Sequence, residues 1–148
     1  MRIQEVIKAK GNRVITVPED TSLKDATKIM EAHRIGALVV LMADGRLKGV
    51  VSEREIVSAL ARCGKSALEL QVRELTMLAG PVVAPTDSIN SAMEIMTERR
   101  VRHLPVVQLQ AVVGVISIGD AVKARLSEKI TENLVLQEIA LWPRAATA

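Results

Sequence analysis

Gly49-Val50-Val51-Ser52-Glu53-Arg54-Glu55-Ile56-Val57 returns 65 residues later as Gly114-Val115-Ile116-Ser117-Ile118-Gly119-Asp120-Ala121-Val122. A stretch that recurs at fixed spacing marks a repeat, and the repeat unit then sets the fold. Working outward, Ser22-Leu23 matches Ser88-Ile89, Ala26 matches Ala92, and Ile29-Met30 matches Ile95-Met96. Arg34-Ile35 aligns with Arg100-Val101, Leu38 with Leu104, and Val17-Pro18 with Ala84-Pro85. All but the last of these pairs sit one residue further apart than the opening pair, so a loop gains or loses a residue. Even Ile3-Gln4-Glu5-Val6 resembles Val72-Arg73-Glu74-Leu75. Units this small make poor independent cores, so the two are expected to pack on each other.

Both copies read as strand, helix, strand, strand, helix. Val14 to Val17 is a β-branched run closed by Pro18, as a short strand is. Thr21-Ser22 offers a helix cap, and Leu23, Ala26, Ile29, Met30 and His33 keep helical spacing. Ala37 to Met42 is continuously apolar and predicts a strand buried on both faces. Asp44-Gly45 signals a hairpin into a return strand from Leu47 to Val51. Ser52 and Glu55 form a capping box for a helix that runs to Cys63, with Gly64 as its C-cap. The second unit repeats this from Val82 to Leu126, with Ser117 and Asp120 as the capping pair. The reading is an α/β chain. The first unit takes residues 1–64 and a connector with a short helical piece near Val72–Leu75 takes 65–80. The second unit takes 81–127, and an extra apolar helix from Glu128 to Trp142, ended by Pro143 and an Ala-rich tail, takes 128–148.

Composition narrows the function. The chain has 148 residues, 49% hydrophobic and 25% charged, so it is globular rather than disordered. One Trp with no Tyr or Phe leaves no aromatic platform for stacking bases. A net charge of +3 is mild for a nucleic-acid binder. The longest apolar stretch, Gly36 to Ala43, is too short to span a membrane, and the opening MRIQEVIKAK holds no signal-peptide core. A cytoplasmic location is expected. The lone Cys63 excludes an intrachain disulfide and reads as a partly buried small hydrophobe. His33 reads as a core-edge histidine, and with His103 it finds no carboxylate at ligand spacing, so no metal site is expected. No phosphate loop or nucleophile motif is present, and no catalytic residue is assigned.

The tandem units, each closing with G-h-h-S-x-x-[DE], resemble a pair of CBS domains, a Bateman module; Arg99 to Val107 is similar to the second unit of stand-alone bacterial and plant CBS-pair proteins. The resemblance covers residues 1–127. It implies two βαββα units packed as a pseudo-two-fold pair, a regulatory binding role rather than catalysis, and a flat dimer. The implied ligand contains adenosine: AMP first, then NAD(H), ATP or ADP, and S-adenosylmethionine. With no effector domain attached, output falls to assembly or to an unidentified effector protein.

Candidate binding residues follow from the helix starts and the flanks of the clefts. Ser117 and Asp120 cap a helix whose free N–H groups suit an anion, and the Asp120 carboxylate is placed to accept both ribose hydroxyls. Gly119, after Ile116 and Ser117, permits close approach. In the first unit Val51 and Ser52 are followed by Arg54 and Glu55. The longer Glu55 side chain shifts the carboxylate, so the second cleft is expected to be the tighter. Arg102 and His103, followed by Leu104 and Pro105, begin the inner strand and are candidates for neutralising phosphate, with Lys123 weaker. Gly36 and Ala37 hold the matching place in the first unit. Val83, Ala84 and Pro85, with Ile15, Thr16 and Pro18, flank the clefts in the family pattern. Two other readings stand beside this one. One is a ligand-free dimeric interaction module docking through the C-terminal helix. The other is a basic regulatory protein touching nucleic acid through Arg99, Arg100 and Arg102.

Overall fold

The computed structural model describes residues 1–11, 13–76 and 80–142. After an opening helix α1 (Ile3–Lys10), the first unit runs β1 (Thr16–Pro18), α2 (Leu23–His33), β2 (Ala37–Leu41), β3 (Leu47–Ser52) and α3 (Glu53–Cys63). β2 is the middle strand, parallel to β1 and antiparallel to β3. Leu38, Val39 and Val40 are all buried, as a continuous apolar run in a covered strand must be. Ser22 caps α2 by accepting from the Asp25 N–H at 3.1 Å. Gly45 takes a φ of 84° in the β2–β3 hairpin, a conformation that favours glycine. His33 and Cys63, expected at least partly inside, are both exposed. Each sits in the last turn of its helix, past the stripe that faces the core.

The second unit repeats the pattern with α4 (Ile89–Arg99), β4 (His103–Gln108), β5 (Ala111–Ser117) and α5 (Ile118–Leu141). Its expected opening strand is reduced to one bridge between Val83 and Val106. The reason is Pro105. In the first unit Val39, at the matching place, donates its N–H to the Ile15 carbonyl at 3.2 Å. Pro105 has no N–H to give, so the ladder cannot extend past Val83. The helix expected over Glu128–Trp142 is present as the continuation of α5, which runs unbroken from Ile118 to Leu141. Pro143, assigned to end it, lies outside the described residues. Among the described residues no helix is long and apolar enough to cross a membrane.

Each sheet needs a cover, and the chain supplies the covers crosswise. Ile3, Val6 and Ile7 of α1 are buried with Val83, Ile89, Leu104 and Ile116, in the core of the second unit. Val72, from the 3-10 turn Val72–Glu74 between the units, is buried with Val17, Leu23, Leu38 and Val51 in the first. The backbone contacts match. The Ile3 N–H donates to the Asp87 carbonyl and the Gln4 N–H to that of Pro85, both at 2.9 Å. The Val72 N–H donates to Thr21 at 2.8 Å and the Arg73 N–H to Glu19 at 3.0 Å. The weak similarity of Ile3–Val6 to Val72–Leu75 is therefore a structural equivalence, but each segment serves the other copy's neighbour in sequence.

Gly114 of β5 is where α1 comes closest. A Cβ there would lie 2.9 Å from Ile7 Cδ1 and 3.0 Å from its Cγ2. Ile7 is β-branched and stiff, so it gives way poorly. Gly114→Ala is expected to lower the unfolding free energy by about 1–3 kcal/mol, the usual range for overpacking a core. In an Ile7→Ala background the same change should add little. A double-mutant cycle in urea checks this, and additive losses would sink the explanation.

Candidate functional site

The two units meet where β3 lies against β4, and a cleft opens there with two lobes that share Val50, Glu55, Val101 and His103. The smaller lobe, about 120 Å³, is completed by Gly36, Ser52, Glu53, Arg54, Arg100 and Arg102. The larger, about 620 Å³, is mostly apolar: Leu47, Pro81, Val82 and Pro105 line it, with Lys48 and Arg99 at its rim. Local structure places these groups. Residues 52–55 begin α3, whose first-turn N–H groups have no partner inside the helix and are met from outside it or by its cap. The Glu53 N–H donates to the Gly36 carbonyl at 3.0 Å, tying this helix start to the start of β2. Its repeat partner, the Ile118 N–H, donates to Arg102 at 2.8 Å. Arg100 ends α4 with a φ of 54°, as Arg34 ends α2 with 52°. A left-handed arginine costs about 1–2 kcal/mol, a strain held by the packing on either side.

The two acidic candidates are held differently. Glu55 Oε2 accepts from the Ser52 N–H at 2.8 Å and also from the Ser52 hydroxyl. Among the described residues no cation pairs with it. Asp120 Oδ2 accepts from the Ser117 N–H at 2.9 Å, while Ser117 Oγ accepts from the Asp120 N–H at 3.1 Å. The same Oδ2 receives the Lys10 ammonium at 2.7 Å. Burial works to raise the Asp120 pKa, but Lys10 and the Ser117 hydrogen bonds outweigh it and hold the carboxyl below its ordinary value.

Of the sequence candidates, Gly36, Ser52, Arg54, Glu55, Arg102 and His103 surround the small lobe, and Pro105 lines the large one. Arg102 and His103, assigned to phosphate in the second unit's cleft, thus face Glu55, because β4 packs on β3. Val51, Val83, Leu104 and Ile116 are buried in the two cores and line neither lobe. Ile15, Thr16, Pro18, Ala37, Ala84, Pro85, Ser117 and Asp120 also lie outside the lobes. The Pro85 carbonyl is taken by α1, and the Ala84 N–H donates to Asp87 at 2.8 Å. Gly119 and Lys123 instead border an apolar groove along α5 with Ile118, Val122, Leu126 and Ile130. Sequence reasoning missed Val50, Val82, Val101 and Lys10. The first three were hidden because apolar residues beside a strand read as core. Lys10 was hidden because α1 serves the more distant unit.

Two tandem units of this topology, with β3 of one against β4 of the other over a cleft, define a paired-repeat module. The family model for the CBS domain matches residues 6–62 and again 72–127, and the chain belongs to the CBS-domain proteins. A CBS-domain-containing protein of Agrobacterium tumefaciens of known structure is 38% identical, with a TM-score of 0.80 over 84% of this chain and 92% of that one. A CBS domain protein of Pyrobaculum aerophilum, complexed with AMP, is 28% identical with a TM-score of 0.72, covering 81% and 89%. The mitochondrial CBS domain-containing protein CBSX3 of Arabidopsis thaliana is 31% identical over 85% of this chain; the chain spans 65% of its length.

His103 lines both lobes of the cleft. Burial lowers its pKa, and Lys10 adds to that, while Glu53, Asp120 and Glu55 pull the other way without prevailing. A histidine is ordinarily half-protonated near pH 6.5. With the folded value lower, the unfolded chain takes up the proton first as pH falls. Stability from this group is thus complete above about pH 6.5 and declines with acidification down to the folded value. An NMR titration should place the His103 midpoint below that of an unstructured histidine. His103→Asn should flatten the stability profile in that window; a midpoint above 6.5 would contradict the reading.

Proposed function

We propose that the chain is a regulatory sensor of adenosine nucleotides, with AMP as the first ligand to test, and that the nucleotide occupies the cleft at Glu55. The carrying observation is the order of chemistry along that cleft. The large apolar lobe suits a base. Glu55 stands in the wall shared by both lobes, where its carboxylate is placed for a ribose diol. Arg54, Arg100 and Arg102 gather at the small lobe beside the N-terminus of α3, where a phosphate is favoured by side-chain charge and by the positive end of the helix dipole. The larger volume falls within the range of small-molecule sites. The AMP complex of the Pyrobaculum protein supports the ligand class. The signal passes on through conformational change in the pair or in an effector protein; catalysis plays no part in this reading. NAD(H), ATP, ADP and S-adenosylmethionine are the comparison ligands.

Glu55→Gln keeps the shape and removes the charge. Loss of a charge-assisted hydrogen bond corresponds to an affinity roughly ten- to a hundred-fold lower. Calorimetric titration with AMP measures it, and unchanged affinity would move the ribose elsewhere. With no Tyr and one Trp in the chain, co-purified adenine is also visible directly in the ultraviolet spectrum.

The interaction-module reading keeps one observation of its own. Leu126, Ile130, Leu134, Leu136, Ile139 and Trp142 of the C-terminal segment are 57–76% exposed, more apolar surface than a free helix tolerates. A homodimer built through the CBS units and this helix covers it. Ile130→Glu with Leu134→Glu should convert dimer to monomer in light scattering while AMP affinity stays within a few-fold. A monomeric wild type at tens of micromolar would remove the dimer. The nucleic-acid reading has less to stand on, because a net charge of +3 and a single aromatic side chain offer little to a phosphate backbone or to stacked bases.

A further inference from the structure

Resting on the nucleotide reading, we infer that the chain closes one of its own two clefts, with Lys10 of α1 seated where the second ribose diol would bind. The Lys10 ammonium donates to Asp120 Oδ2 at 2.7 Å and to the Val115 carbonyl at 3.0 Å. It therefore satisfies the carboxylate that the second repeat holds in place of Glu55, as well as a backbone acceptor of the adjoining strand. The position of Lys10 is fixed from behind. Ile3, Val6 and Ile7 anchor α1 in the second core, and Gly11, with a φ of 98°, ends the helix by donating its N–H to the Ile7 carbonyl at 3.0 Å.

The occlusion is one-sided by sequence. By sequence count alone, from Ile3 against Val72, the position opposite Lys10 is Ala79, an uncharged residue outside the described ones. Accordingly the first cleft has an unpaired Glu55 among the described residues and an open volume, while Asp120 is already engaged. A ribose diol entering the second cleft must displace an ammonium from its carboxylate. Hydrogen bonds to charged groups carry about 10- to 100-fold in affinity, enough to take the second cleft out of a titration set for the first. The two-fold pattern of the repeat thus gives a single-site sensor, and Lys10 sets the number of ligands bound.

The test is the stoichiometry of AMP binding by isothermal titration calorimetry, at concentrations set for the first site, where a site ten-fold weaker or more does not add to the stoichiometry. Wild type should take one AMP per chain. Lys10→Met keeps the length and apolar stem, and should take two. Lys10→Gln, with unchanged circular dichroism, guards against a packing artefact and should also take two. Lys10→Met with Asp120→Asn should return to one. Two equivalents on wild type, or one on both Lys10 variants, overturn the occlusion and leave the nucleotide reading standing. Lost affinity in Lys10→Met with wild type intact overturns it too, making Lys10 a ligand-holding residue. No AMP binding by any of these proteins overturns the nucleotide reading itself, and the occlusion with it.

Discussion

Burial of Ile3, Val6 and Ile7 against the second sheet, mirrored by Val72 against the first, is the contact on which the rest of the structure depends. A two-stranded or three-stranded sheet with helices on one side leaves apolar side chains uncovered at its edge. Each of these segments closes such an edge, and both dock through equivalent backbone hydrogen bonds. With no Phe or Tyr in the chain, the cores are filled by Ile, Leu, Val, Met and Ala, and close approach replaces bulk. Gly114 shows the consequence, since a single added methyl would meet Ile7.

That arrangement also makes the two clefts unequal. The repeat supplies each with a serine, a helix start and a carboxylate. The cover of the second unit ends on Lys10, which pairs with Asp120. The first unit gains Arg100, Arg102 and His103 from across the junction, because β4 lies against β3. Charge therefore accumulates on one side of the pseudo-two-fold axis. His103 lies close enough to feel Glu53, Glu55, Asp120 and Lys10 together, yet burial prevails and holds its pKa down.

Much of the fold was legible in the sequence because periodicity and caps act locally. Ser22, Ser52, Ser88 and Ser117 all stand at helix starts as read, and Asp44-Gly45 makes its hairpin. The strand missing at Val82 was legible in principle, through Pro105, but only once the pairing partner was known. Leu109-Gln110 was not legible: the turn between β4 and β5 holds both residues at positive φ, where Asn-Gly is the expected signal. For the candidate site, Ser52, Arg54, Glu55, Arg102 and His103 were singled out one by one, but their meeting around one lobe was not legible. Which strand packs on which, and which unit α1 covers, are long-range facts that no local pattern carries.

The crossed covers also set an order of events during synthesis. Residues 15–75 contain every member of the first core, so that half can complete itself as it emerges. The second core draws on residues 3–7 and 83–124, so α1 is made first and housed last. At the usual pace of about 5–20 residues per second, the apolar face of α1 stays without its partner for several seconds. Over that interval Lys8 and Lys10, with Glu5, keep this segment in water, and the lysine that later pairs with Asp120 serves first as a solubilising charge.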